Sequence, residues 1–368
     1  MKKAIKISSI LFFLSLITSS HGQTFTFADS ANTTISNVTY RLLPIQSEEN
    51  FNFLCYSTKN KKQDFELLVL KDTLISKMEL KNRGLDGGGS AYKSAVMSNK
   101  KLLLLHVDGF LLVYIKNKKG NYILKETLTI KGKHFNTISL LDDENVLLMN
   151  SYNYYNEEKL YDNYVLCVFN LPTKKVVYSK EMDLGKGILL SHFSSTVLIE
   201  SKKDKIAMAH PTLPLVYIYN DKLNPIDTIY AQFQDSISVD SVINTVFTDS
   251  FLERNRTRPK EIIETIENGK INQMERIEKV FWLSDDIVGY IIRQAFSQER
   301  RFVFYSIAEK RELYDKIDSL FSGNFVSSTR VLINNNKTIW NGYIHNEDKS
   351  DIYYQFMLYG MQPLNGTK

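Results

Sequence analysis

The chain has 368 residues, of which 43% are apolar, 24% charged and 12% aromatic, so it is long and apolar enough to bury a full core. Its 21 Tyr and 21 Phe beside only seven Pro exclude wholesale disorder. The formal net charge is +5, and three of those charges (Lys2, Lys3 and Lys6) lie in a segment expected to be removed; the remaining +2 is too weak a field to argue for nucleic acid, and no Lys/Arg stripe is present.

Residues 1–22 read as a signal peptide. Lys2, Lys3 and Lys6 form a basic start, an apolar run follows from about Ile7 to Ile17, and Ser20 and Gly22 stand at −3 and −1 of a cut before Gln23. The run is too short for a stable bilayer anchor, and no Cys follows it to accept a lipid. No other long apolar run occurs, so no membrane span is expected. The expected location is a bacterial periplasm or cell surface. Only Cys55 and Cys167 remain, each inside an apolar strand-like run, where free thiols pack as small hydrophobes.

From Gln23 the chain reads as strands. Gln23–Phe27 alternates strictly. A unit then recurs: an apolar run, a short polar turn and a second apolar run. Its instances are Tyr40–Ile45 with Phe51–Tyr56, Ala95–Ser98 with Leu102–Val107, and Ile138–Leu141 with Val146–Met149. Thr196–Ile199 with Ile206–Ala209, Lys279–Leu283 with Ile287–Ile292, and Arg330–Ile333 with Thr338–Ile344 complete the series. The intervening turns, such as Asp142-Asp143-Glu144-Asn145 and Ser284-Asp285-Asp286, carry short polar side chains that bond local backbone. A third strand and usually a fourth follow each pair.

Six such units predict an all-β fold, a six-bladed β-propeller of four-stranded blades. A sandwich or barrel would not repeat one unit six times. The last unit stops after its third strand, and the N-terminal Thr24–Phe27 is the economical donor of its outer strand. One propeller domain over 23–360 is expected, with a tail at 361–368. The connection 231–278 breaks the period. Within it, Pro259–Ile277 has helical spacing at Ile262, Ile263 and Ile266, which predicts a short helical insertion between blades four and five.

The segment Lys203-Asp204-Lys205-Ile206-Ala207-Met208-Ala209, followed by Leu215-Val216-Tyr217-Ile218-Tyr219-Asn220, resembles the TolB-like six-bladed propellers exported by Gram-negative bacteria. Asn220 stands where that family carries Asp before a turn. The resemblance implies an interaction platform more than an activity.

The chemistry-bearing residues are sparse. Asp86–Ser94 is Gly-rich but has Tyr92 where a phosphate loop needs Gly. The histidines show no metal spacing, and there is no Gly-x-Ser-x-Gly elbow. No cofactor or metal is expected. Connections from strand four to the next strand one share a face with those from strand two to strand three, and propellers bind there. That face would collect Tyr152, Tyr154, Tyr155, His134, His192, His210 and Arg293, with Arg254, Arg256 and Arg258 from the insertion. The expected function is non-enzymatic binding of an envelope protein, peptide or glycan. The alternative is an envelope hydrolase or lyase acting on polysaccharide, which would need carboxylates paired in one cleft.

Overall fold

A computed structural model describes residues 25–35, 40–46, 51–57, 65–71, 74–80, 92–106, 109–130, 135–150, 164–182, 197–234, 275–294, 299–318, 330–334, 337–345 and 352–361. These residues form 24 strands and no helix. The predicted helical insertion (235–274 of it), the Gly-rich 84–91 segment and the 1–22 leader lie outside them.

After β1 (Phe25–Ile35) the strands follow as meanders. The first two meanders are β2 (Tyr40–Gln46), β3 (Phe51–Ser57), β4 (Phe65–Lys71) and β5 (Leu74–Leu80), then β6 (Tyr92–Met97), β7 (Lys101–His106), β8 (Phe110–Lys116) and β9 (Tyr122–Thr129). Next come β10 (Phe135–Leu140), β11 (Asn145–Asn150), β12 (Tyr164–Asn170) and β13 (Lys175–Met182), then β14 (Leu198–Lys202), β15 (Lys205–Ala209), β16 (Leu215–Asn220) and β17 (Pro225–Tyr230). The last are β18 (Arg276–Trp282), β19 (Ile287–Arg293), β20 (Arg300–Ser306) and β21 (Arg311–Asp318), then β22 (Arg330–Asn334), β23 (Lys337–His345) and β24 (Ile352–Met361).

Each meander is antiparallel throughout. Strands β10–β13, β14–β17 and β18–β21 form separate four-stranded sheets. Strands β2–β9 form one eight-stranded sheet, joined only by the short parallel pairing of Ile45 with Ala95 and Gln46 with Val96. The first strands of successive meanders pack on one another, β6 on β10, β10 on β14 and β14 on β18.

Burial explains the sequence pattern. Second strands are covered on both faces: Leu102–Leu105, Val146–Leu148, Ile206–Ala209 and Val288–Ile292 are almost wholly buried, so they read as unbroken apolar runs. Fourth strands are the outermost, and β13 is exposed along most of its length. Apolar clusters fill the seams. Leu103, Val113, Ile138 and Leu148 join the second and third meanders. Leu147, Val168, Ile199 and Met208 join the third and fourth, and Val216, Ile218, Ile277 and Val288 the fourth and fifth.

The predicted turns are held as expected. Asp142 Oδ1 accepts from the backbone N–H groups of Glu144 and Asn145 at 2.7 Å each, and Ser284 Oγ from that of Ile287 at 3.0 Å. Asn220 Oδ1 accepts from the N–H of Lys222 at 3.0 Å and of Asn224 at 2.9 Å, so the amide does the turn's work there.

Several strand ends differ from expectation, and two of them bear on the last sheet and on the site. The N-terminal strand pairs with β24 as expected, but it runs from Phe25 to Ile35 rather than ending at Phe27. A bulge between Phe27 and Asp29 interrupts the alternation, and an outer strand does not need an apolar pattern. Strand β18 begins at Arg276, three residues before the expected Lys279, so the connection spans 231–275 rather than 231–278. A bulge between Ile277 and Lys279 hides that start from a period-two reading.

Candidate functional site

Of the residues expected at a binding face, His210 and Arg293 are described. Tyr152, Tyr154, Tyr155, His134, His192, Arg254, Arg256 and Arg258 lie outside the described residues. His210 and Arg293 both stand at the seam of the β14–β17 and β18–β21 sheets, on the end where second strands lead to third strands.

His210 follows β15 and is fully buried. The backbone N–H of Thr212 donates to its Nδ1 at 3.3 Å, and Thr212 Oγ1 lies 2.8 Å from the same atom. With Nδ1 accepting, the proton of the neutral ring sits on Nε2. Burial lowers its pKa to about 4, so the ring is neutral at ordinary pH. The buried ring of His210 thus bonds within its own turn, through Thr212.

That turn is tied to the next sheet. The Ile277 N–H donates to the Pro211 carbonyl at 2.8 Å, the Ala231 N–H to the Pro214 carbonyl at 2.9 Å and the Leu213 N–H to the His210 carbonyl at 3.1 Å. The Gln234 N–H donates to the buried Glu275 carboxylate, and the Arg301 guanidinium donates to the Gln232 carbonyl. The chain thus leaves at Gln234 and returns at Glu275 with both ends pinned together.

Beside this stem lie three arginines in lateral register. Arg276 of β18 pairs with Arg293 of β19, and Arg293 pairs with Arg300 of β20. Directly opposed residues have Cα atoms about 4.5–5.5 Å apart and share one face of the sheet. Arg300 is buried and its Nε donates to Glu278 Oε2 at 2.9 Å. Burial holds the Arg276 pKa below its ordinary value; the Arg293 charge adds to that, and Glu278 opposes it. Sequence reasoning misses Arg276 because the late start assigned to β18 puts it in the insertion. Placing Arg276 at a first-strand start and Arg293 at a second-strand end would have aligned them.

Further shifted groups lie on β19 and β21 of the same sheet. Burial and the neighbouring Glu312 carboxylate push the Tyr290 hydroxyl up, and burial and Asp315 push Glu312 up. Arg301 Nε faces Asp315 Oδ1 at 3.3 Å. Tyr290 and Arg301 are buried, Glu312 is half-buried and Asp315 is exposed. A separate cleft of about 320 Å³ opens between the third and fourth meanders, lined by Asp142, Val177, Tyr178, Lys203 and Asp221 among others. Its Asp142 is already engaged by its own turn. Among the described residues no group of three His, Cys, Asp or Glu side chains could hold a metal, and no helix is long and apolar enough to cross a membrane.

No family model matches the chain, and no curated protein sequence matches it. Solved structures do. The structure of a DUF4221 family member from Bacteroides vulgatus is similar at a TM-score of 0.56 and 10% identity, over 93% of this chain and 99% of that one. The fold is a β-propeller. The WD40 domain of Toxoplasma gondii coronin also matches, at 0.48 and 9% identity over 92% of this chain and 88% of that one. So does a chain of the mitotic checkpoint complex, at 0.46 and 8% identity over 98% and 90%. At such identities the likeness is one of fold alone. The propeller places the His210 turn, the 231–234 and 275–277 stem and the arginine row on one end of adjacent blades.

Proposed function

We propose that the chain is an exported, non-enzymatic β-propeller of six blades, built like the TolB-like propellers. In this reading it binds a protein, peptide or glycan of the cell envelope on the face that carries the His210 turn and the arginine row. The observation that carries the reading is the pinned stem. Gln234 and Glu275, hydrogen-bonded at this face, bring the two ends of the long connection together there. A long connection of this kind inside a compact fold is usually functional when it is not disordered. Six blades rest on the meander count, with the eight-stranded sheet divided at its two-residue parallel junction and β1 supplying the outer strand beside β24.

The test uses residues 23–368 as immobilised bait in envelope extract of the producing organism. A component retained by the bait and displaced by excess free protein is expected, and it is lost when 235–274 is replaced by a short Gly/Ser linker. Equal retention by the linker variant removes this face from the reading. Export is checked by fractionation and N-terminal sequencing: the reading expects Gln23 as first residue, and a cytoplasmic chain still carrying its leader rejects it.

A further inference from the structure

We propose that the cleft between the third and fourth meanders is a saccharide site, taking an uncharged sugar ring either free or at the end of a glycan. It lies where first strands turn into second strands and third into fourth, at the end opposite the His210 turn, so it is separate from the platform reading above. Its volume of about 320 Å³ falls within the range of small-ligand clefts, about 300–1,000 Å³.

The cleft opens because this seam lacks a latch that its neighbours have. Lys100 Nζ donates to Asp143 Oδ2 at 3.1 Å and Lys101 Nζ donates to the Asp143 carbonyl, which ties the second meander to the third. Lys203 Nζ donates to Asp285 Oδ2 and Lys205 Nζ to the Asp285 carbonyl at 2.5 Å, which ties the fourth to the fifth. In both seams a lysine opens the second strand, Lys101 of β7 and Lys205 of β15. Strand β11 opens instead with Asn145, whose Nδ2 is held by Asp142 Oδ2 of its own turn at 2.8 Å. The turn 141–145 contains no lysine to reach the fourth meander. This seam is joined through Ser201, whose Oγ donates to the Leu140 carbonyl at 2.5 Å and lies 2.8 Å from Ser139 Oγ.

The lining suits a sugar. Leu141, Val168 and Val177 give an apolar surface, and Tyr178, exposed on the outer strand β13, adds an aromatic ring on which the C–H face of a pyranose packs. Asp204 and Asp221 also line the cleft, and among the described residues their side chains make no hydrogen bond. A carboxylate accepts from two neighbouring hydroxyls in charge-assisted bonds. An ion is disfavoured in either sign. Lys202, Lys203 and Lys205 stand around Asp204 in the chain and Lys222 follows Asp221, so a cation meets lysines, while an anion meets the two carboxylates. A ligand with an apolar ring face and a belt of hydroxyls uses both parts of the lining.

The experiment is saturation-transfer NMR of the purified protein with glucose, galactose, mannose, N-acetylglucosamine and their methyl glycosides, followed by titration of the best binder. Transfer to the ring protons of at least one sugar is expected. Asp221→Asn and Tyr178→Ala should each weaken its binding about tenfold. Both side chains are exposed, so neither variant should change thermal unfolding, and weakening in either one with unfolding unchanged supports the site. The variant with 235–274 replaced by a Gly/Ser linker should bind the sugar as wild type does, because the cleft is at the other end of the fold. Equal or tighter binding of the methyl glycoside assigns the site to a glycan end, and weaker binding to the free sugar; both support it. Three results overturn it. They are no transfer to any of the sugars, undiminished binding in both Asp221→Asn and Tyr178→Ala, and loss of binding in the linker variant. The last would put the sugar on the platform face.

Discussion

Gln234 and Glu275 stand 41 positions apart in the chain, and the backbone N–H of the first donates to the carboxylate of the second. The bond closes the base of the long connection independently of what the connection does. Glu275 is 1% exposed, so its removal takes a buried, charge-assisted acceptor from the seam. Glu275→Ala should cost about 1–3 kcal/mol in urea unfolding. Replacing 235–274 by a short Gly/Ser linker should cost less than that, since the seam contacts of 231–234 and 275–277 remain. A linker variant that unfolds far more easily than Glu275→Ala would show that the segment itself holds the blades together.

His210 should make stability pH-dependent. Its pKa is lowered from an ordinary 6.5 to about 4 by burial, so the folded state resists a proton that the unfolded state accepts. The contribution is fully present above pH 6.5, falls as pH drops toward 4, and levels off below. A shift of that size corresponds to roughly 3 kcal/mol. Urea unfolding from pH 7.5 to 4 should show this decline in wild type and a flatter profile in His210→Gln. Parallel profiles would place the titrating group elsewhere.

Gly289 is required by a ring. A Cβ built there would collide with the Cε2 and Cζ atoms of Phe281. Phe281 cannot easily yield, because it is buried and packs edge-on against Phe304 with centroids 6.1 Å apart. Gly289→Ala should therefore cost about 1–3 kcal/mol by overpacking. Adding Phe281→Leu should recover part of the loss, a coupling expected of neighbours in contact. Thermal unfolding of the two single variants and the double one measures it; strict additivity would refute the clash.

Strand β1 completes the β22–β24 sheet. It pairs with β24 along its length, from Phe25 opposite Met361 to Ile35 opposite Ile352. Deleting 25–35 exposes the β24 edge and should lower stability by several kcal/mol and promote association. Unchanged urea unfolding of a monomeric deletion variant would remove β1 from the stabilising set.

The thiols should stay reduced. Cys167 is 2% exposed on β12, its Sγ 3.7 Å from Ser179 Oγ, while Cys55 lies on β3 of a different sheet. A thiol reagent should label Cys167 only as the protein unfolds. Mass spectrometry of the native protein should find no Cys55–Cys167 link, and finding one would contradict the strand assignment.

The repeat is legible in the sequence because second strands are buried on both faces. Runs such as Leu102–Leu105 and Ile206–Ala209 have no solvent side to write a polar residue on, and the Asp142, Ser284 and Asn220 turns carry their own hydrogen bonds. Local chemistry therefore determines meander and turn. It does not determine where β1 ends or where β18 begins, because a bulge breaks the alternation in each.

The candidate site is a different matter. Arg276, Arg293 and Arg300 look unremarkable along the chain, separated by a turn and a loop, and His210 looks like any exposed histidine of a loop. Only pairing across β18, β19 and β20 sets the arginines side by side, and only packing of one blade on the next buries His210 beneath its turn. The sequence by itself determined the strands, because period and turn chemistry are properties of neighbouring residues. The tertiary structure decided which charges share a face and which ring loses its water, because register and burial arise between segments distant in the chain.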